Sequence, residues 1–177
     1  MGHRLEACAT KKITMEMFEK SILIFGCGSI LWGDDGFGPA VIDCLNQKYH
    51  LPADVLALDV GTSIRDILFD LILSEQKPRQ LIIIDAVGYP DRQPGEVFEI
   101  PVEGIPETKV SDFSLHQFPT VNMLQELKEH SGIKVKIIVG QTESIPEEVR
   151  PGLSAAMQGA VALACERIMA AIQEGRE

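Results

Sequence analysis

The chain has 177 residues, 45% hydrophobic and 24% charged, the balance of one globular domain with its own core. Its formal net charge is −10, a surface that repels nucleic-acid backbones, and no basic block offsets it. No apolar run approaches the roughly 20 residues of a membrane helix, so no membrane association is expected.

Residues 1–20, MGHRLEACATKKITMEMFEK, are mixed and charged, without the apolar core of a secretory signal. They are expected to form a loose leader. SILIFG (21–26) is a short apolar run, the pattern of a strand buried on both faces. In the segment that follows, Phe37, Val41, Cys44, Leu45 and Tyr49 recur at helical spacing. DVLALDV (54–60) predicts a second strand, and SIRDILFDLILSE (63–75) a second helix capped by Thr62 or Ser63. QLIIIDAV (80–87) has the unbroken hydrophobicity of a central strand.

GEVFEI (95–100) alternates and predicts a more exposed strand. A Pro-rich polar stretch over 101–120 reads as a loop, longer than compact domains normally use, and loops of that length tend to be functional. VNMLQELKEHSG predicts a helix ending at Gly132, KVKIIVG (134–140) a strand, and QTESIPEEVRPGLS (141–154) a second loop. A closing helix spans about 154–174, with Met157, Val161, Ala164, Ile168 and Ile172 on one face. Strands thus alternate with helices. The expected fold is α/β: a three-layer α/β/α sandwich around a mostly parallel sheet of about five strands, a single domain over 21–177.

Cys8, Cys27, Cys44 and Cys165 form no C-x-x-C pair and fit no zinc-site spacing. Free thiols in a reducing compartment are expected, hence a cytoplasmic protein, with Cys44 and Cys165 in the core.

In a parallel α/β sheet the site lies beyond the carboxyl ends of the strands. Three polar residues fall there or in the long loop: Asp35 after the first strand, Asp85 at the end of LIIIDAV, and His116 in SLHQFP. Each has an ordinary reading. Asp85 could cap the next turn, and a lone loop His is more often surface decoration than a ligand. Asp34 is expected to cap the first helix. Asp59 could bind a ribose or cap a turn. His3, His50 and His130 stand in polar settings and receive no role. Together, two carboxylates and an imidazole could form a metal site with open positions, or a coupled acid pair sharing a proton. Composition and spacing do not choose between them. GCGSIL also offers the G-x-G of a nucleotide-binding loop, but Leu31 replaces the third glycine, and Asp34 and Asp35 would repel a pyrophosphate.

GCGSILWGDDGFGPAV, LDVGT, LIIIDAV, SLHQFP and IPEEVRPGLS occur in an order that resembles the hydrogenase maturation endopeptidases. GDDGFGP with SLHQFPT most resembles the branch serving deazaflavin-reducing hydrogenases of methanogens. The resemblance runs from about residue 21 to the last helix. It implies an aspartic-type endopeptidase that removes a C-terminal extension from the nickel-loaded precursor of a nickel–iron hydrogenase large subunit. It places the family's metal-contacting acid on Asp35, where many members have Glu, its second acid on Asp85 and its histidine on His116. Nickel would arrive with the substrate, held by cysteine thiolates, and no organic cofactor is implied. Either a carboxylate or the nickel would activate water. A monomer is expected, because a large protein must reach the site. The alternatives are a nucleotide-binding α/β protein and a chaperone-like partner that binds the precursor without cutting it.

Overall fold

The computed structural model describes residues 17, 19–102 and 121–176. Among them are five strands: β1 (Ile22–Cys27), β2 (Val55–Gly61), β3 (Gln80–Val87), β4 (Val97–Ile100) and β5 (Lys134–Gln141). Four helices accompany them: α1 (Phe37–Lys48), α2 (Ile64–Leu73), α3 (Val121–Ser131) and α4 (Ala155–Glu174). A 3-10 turn over Gly33–Gly36 leads into α1. Most of the leader expected over 1–20 and most of the loop expected over 101–120 lie outside the described residues, while Met17 is buried in the core.

The strands form one sheet in the order β2-β1-β3-β5-β4. Four run parallel, and β4 pairs antiparallel with β5. The sheet and its two helical layers are the expected α/β/α sandwich. β3 is the middle strand, and every residue of β1 and β3 is buried. A parallel strand with helices on both faces has no wet side, so its sequence shows no alternation. β2, at an edge, mixes buried and half-exposed positions.

Side chains alternate between two cores. Leu23, Phe25, Leu81, Ile83 and Ile137 pack with Ile64 and Leu68 of α2 and Leu124 of α3. Ile22, Ile24, Ile82, Ile84 and Ile138 pack with Val41 and Leu45 of α1 and Met157, Ala164 and Ile168 of α4. By length and composition α4 could cross a membrane, yet its apolar stripe is this second core, and Cys165 and Ile172 are fully buried with it.

Two local expectations are corrected. β4 is not the exposed strand its alternation suggested, since only Glu99 is open to solvent. The Arg92 guanidinium sits 4.0 Å over the Phe98 ring, with Tyr89 5.8 Å away between centroids. Ser63 stands at the N-cap of α2, but its side chain makes no capping bond; its backbone N donates to Val60 O at 2.9 Å instead. The other two helix-end expectations match: Ser154 accepts from Met157 N at the start of α4, and Gly132, at φ +67°, follows α3.

The chain passes from β1 through α1 on one face to β2. It then passes through α2 on the other face to β3, on the far side of β1. The direction of winding reverses between β1 and β3. The crevice beyond their carboxyl ends is where such folds bind ligands.

Candidate active site

The β1–α1 loop occupies one side of that crevice. Its glycines are required by close approach. Gly28 has φ +113°, and a Cβ there would lie 1.9 Å from Asp35 O. A Cβ on Gly38 would lie 2.2 Å from Cys27 O, so the first turn of α1 rests directly on the β1 backbone. This folded-back loop brings Asp35 under Ser29, whose backbone N donates to Asp35 Oδ2 at 2.7 Å. Asp35 is only 5% exposed.

Asp34, its neighbour, points elsewhere. The expected role as a cap for α1 is not what it does: Gly36 holds the N-cap position with no side-chain bond. Its carboxylate is 1% exposed and turns to the β5–α4 loop. Asp34 Oδ1 accepts from Ser154 N at 2.7 Å, and Oδ2 accepts from Glu143 N at 2.9 Å and Ser154 Oγ at 3.0 Å. Backbone bonds from Gly33 N to Arg150 O and from Arg150 N to Leu31 O, both 2.9 Å, complete the seam. The helix-capping reading failed because the competing donors come from residues more than a hundred positions away. Three strong hydrogen bonds outweigh a dipole contact of about 0.3–1 kcal/mol.

Asp85 ends the apolar run of β3, beyond the pair Gly26–Ile84 that joins β1 to β3. It is 8% exposed, and its Oδ1 accepts from Ala86 N at 2.7 Å. Asp59 lies on β2 opposite Gly26, is exposed, and its Oδ1 accepts from Gly61 N at 2.9 Å, the turn-capping option. Between these strands sits Cys27. Burial first, and then the negative charges of Asp85, Asp59 and Asp35, push its thiol well above the usual range. Three carboxylates from three separate segments therefore act on one buried point at the sheet edge. The same edge is braced by Gln141, which exchanges bonds with the Tyr89 backbone at 2.9 and 3.2 Å, and by Thr142, whose N donates to Val87 O at 2.8 Å.

His116 lies outside the described residues. Among the described residues no three His, Cys, Asp or Glu side chains form a metal-binding group. Asp35 thus lies in the loop that follows β1, and Asp85 near the carboxyl end of the adjacent strand β3. The ties made by Asp34 and Gln141 carry no periodicity or motif in the sequence. Only the chance of long-range pairing, which one sequence does not reveal, could have pointed to them.

Buried carboxylates beside the switch point of a mostly parallel, helix-covered sheet are what the described residues bring together. The sequence profile of the hydrogenase maturation protease family matches residues 39–171. A Methanocaldococcus jannaschii protein provisionally named a hydrogenase maturation protease is 36% identical over 160 residues, covering 89% of this chain and all of that one. Coenzyme F420 hydrogenase subunit delta of Methanothermobacter thermautotrophicus is 32% identical over 155 residues, covering 86% of this chain and 94% of its own. Among solved structures, the hydrogenase maturating endopeptidase HybD from Escherichia coli superposes with a TM-score of 0.70 at 28% identity, over 86% of this chain and 92% of that one. The chain belongs to the hydrogenase maturation protease family.

Proposed function

We propose that this protein removes a C-terminal extension from the nickel-loaded precursor of a nickel–iron hydrogenase large subunit. The observation that supports the reading is the burial of Asp35, in the loop after β1, and of Asp85, near the carboxyl end of the neighbouring strand β3. Asp35, Asp85 and His116 complete the coordination of a nickel ion that the substrate holds with its own thiolates. A precursor without nickel lacks that anchor, so discrimination is a difference of affinities.

With the precursor docked, a carboxylate of the pair accepts a proton from water as its oxygen attacks the scissile carbonyl carbon. The C–N bond then breaks, and the proton passes to the leaving amine. Thiolate ligation lowers the Lewis acidity of nickel, which favours the carboxylate over the metal as activator of water. This makes the enzyme aspartic-type. The Methanothermobacter relative, a coenzyme F420 hydrogenase subunit delta, supports the deazaflavin-hydrogenase branch. The unpaired Cys27, Cys44 and Cys165 support a cytoplasmic setting, where we expect a monomer.

The test incubates the enzyme with nickel-loaded and nickel-free precursor and follows the released peptide by mass spectrometry. Cleavage of the loaded form alone is expected. Asp85→Asn is expected to lower kcat by at least a hundredfold, within the usual contribution of a positioned acid or base. Equal cleavage of both precursors refutes the metal check. Full activity of Asp85→Asn refutes the carboxylate role.

A further inference from the structure

A groove of about 390 Å³ lies on the α1 side of the crevice. Ile30, Pro39, Ala40 and Leu153 give it an aliphatic wall, and Asp43 and Asp59 give it two carboxylates. Among the described residues no Lys, Arg or His lines it. Each carboxylate spends one oxygen inside the protein: Asp43 Oδ1 accepts from Gln47 Nε2 at 2.6 Å, and Asp59 Oδ1 from Gly61 N at 2.9 Å. Among the described residues neither is paired with a base. Ile30 stands 62% exposed at the rim. One exposed aliphatic residue is ordinary, but one set beside Pro39 and Leu153 in a groove makes a platform.

The groove adjoins the crevice. Gly36, which lines it, is the chain neighbour of Asp35. Asp59 also acts on Cys27 together with Asp85 and Asp35. A polypeptide whose scissile bond lies between Asp35 and Asp85 therefore has adjacent residues within reach of this wall. Resting on the function proposed above, we infer that the groove is a specificity subsite for the precursor. It takes an extended segment near the cleavage point that presents an aliphatic side chain to Ile30, Pro39 and Leu153 and a Lys or Arg to Asp43 and Asp59. Charge complementarity selects this occupant: two carboxylates with no base beside them among the described residues favour a cation, and a neutral or acidic segment leaves them uncompensated.

The test uses Asp43→Lys, because Asp43 is exposed on α1, and an unchanged melting midpoint is expected for the variant. Precursor binding and cleavage are measured separately. Asp43→Lys is expected to weaken binding and raise KM about tenfold, with kcat within about twofold of wild type, as for loss of uniform binding. Each Lys and Arg near the C-terminus of the precursor is then changed to Glu. One of these precursors is expected to be bound poorly by wild type and to be rescued by Asp43→Lys. Ile30→Ala is expected to raise KM as well. Wild-type binding by Asp43→Lys, or no rescue by any charge-swapped precursor, overturns the subsite. If wild type binds the precursor but never cuts it, the proteolytic reading fails, while the charge swap still decides the groove.

Discussion

Replacing Asp34 by Ala removes a buried carboxylate that accepts three hydrogen bonds and strands the backbone donors of Glu143 and Ser154. A hydrogen bond to a charged group contributes about 1.5–3 kcal/mol, and a buried unsatisfied donor costs about 1–3 kcal/mol. The bonds share one carboxylate and one serine, so they do not add. A loss of about 4 kcal/mol is the reasoned magnitude, in the tail reserved for broken buried networks. At about 2–4 °C per kcal/mol for a domain of this size, the melting midpoint falls by roughly 12 °C. Asp34→Asn keeps one acceptor but points an amide at a donor, and should fall about halfway. Ser154→Ala loses one of the three bonds and the α4 cap, for about 1 kcal/mol. Calorimetry at pH 7 measures all three. Had Asp34 only capped α1, the loss would be about 1 kcal/mol and the shift about 3 °C. A fall of less than about 4 °C for Asp34→Ala therefore refutes the staple.

Two further outcomes follow from local geometry. Gly28→Ala places a Cβ 1.9 Å from Asp35 O at φ +113°, so cleavage of the precursor should be lost and the midpoint should drop; an active, stable variant refutes the required turn. Burial, and then the hydrogen bond with Cys44, push the Cys165 thiol up to about 12, so at pH 8.5 it stays neutral and non-nucleophilic. Iodoacetamide at that pH should modify half-buried Cys44 before Cys165, which peptide mass spectrometry resolves; Cys165 alkylated in the native protein at the rate of the unfolded chain refutes its burial.

The fold was legible because each layer writes its own period. LIIIDAV has no alternation because β3 is covered on both faces, and Met157, Ala164, Ile168 and Ile172 keep helical spacing because α4 buries one stripe. The parallel pairing of β1 and β3 explains why the loop that carries Asp35 and the strand end that carries Asp85 leave the same edge of the sheet. The partners of Asp34 were not legible: nothing local distinguishes an acid that caps its own helix from one that binds a loop beyond β5. β4 misled for a similar reason. Val97 joins the core under α1 and α4, Phe98 and Ile100 join the other core, and Arg92 and Tyr89 lie against Phe98, contacts that leave no periodic trace in six residues.

The two adjacent acids divide the work of the β1–α1 loop. A loop that cradles phosphate leaves its backbone N–H groups open to an anion. Here Ser29 N is already taken by Asp35, and Asp34 draws in the donors of the opposite loop. The crevice presents acceptors where a nucleotide site would present donors, which reverses the sign of the ligand it favours. The same glycines serve both kinds of loop, because Gly28 and Gly38 answer to backbone approach and not to charge. Ligand class in such a loop is therefore set by the side chains at the mouth of the helix, and in this chain those are carboxylates held rigidly in place from both sides.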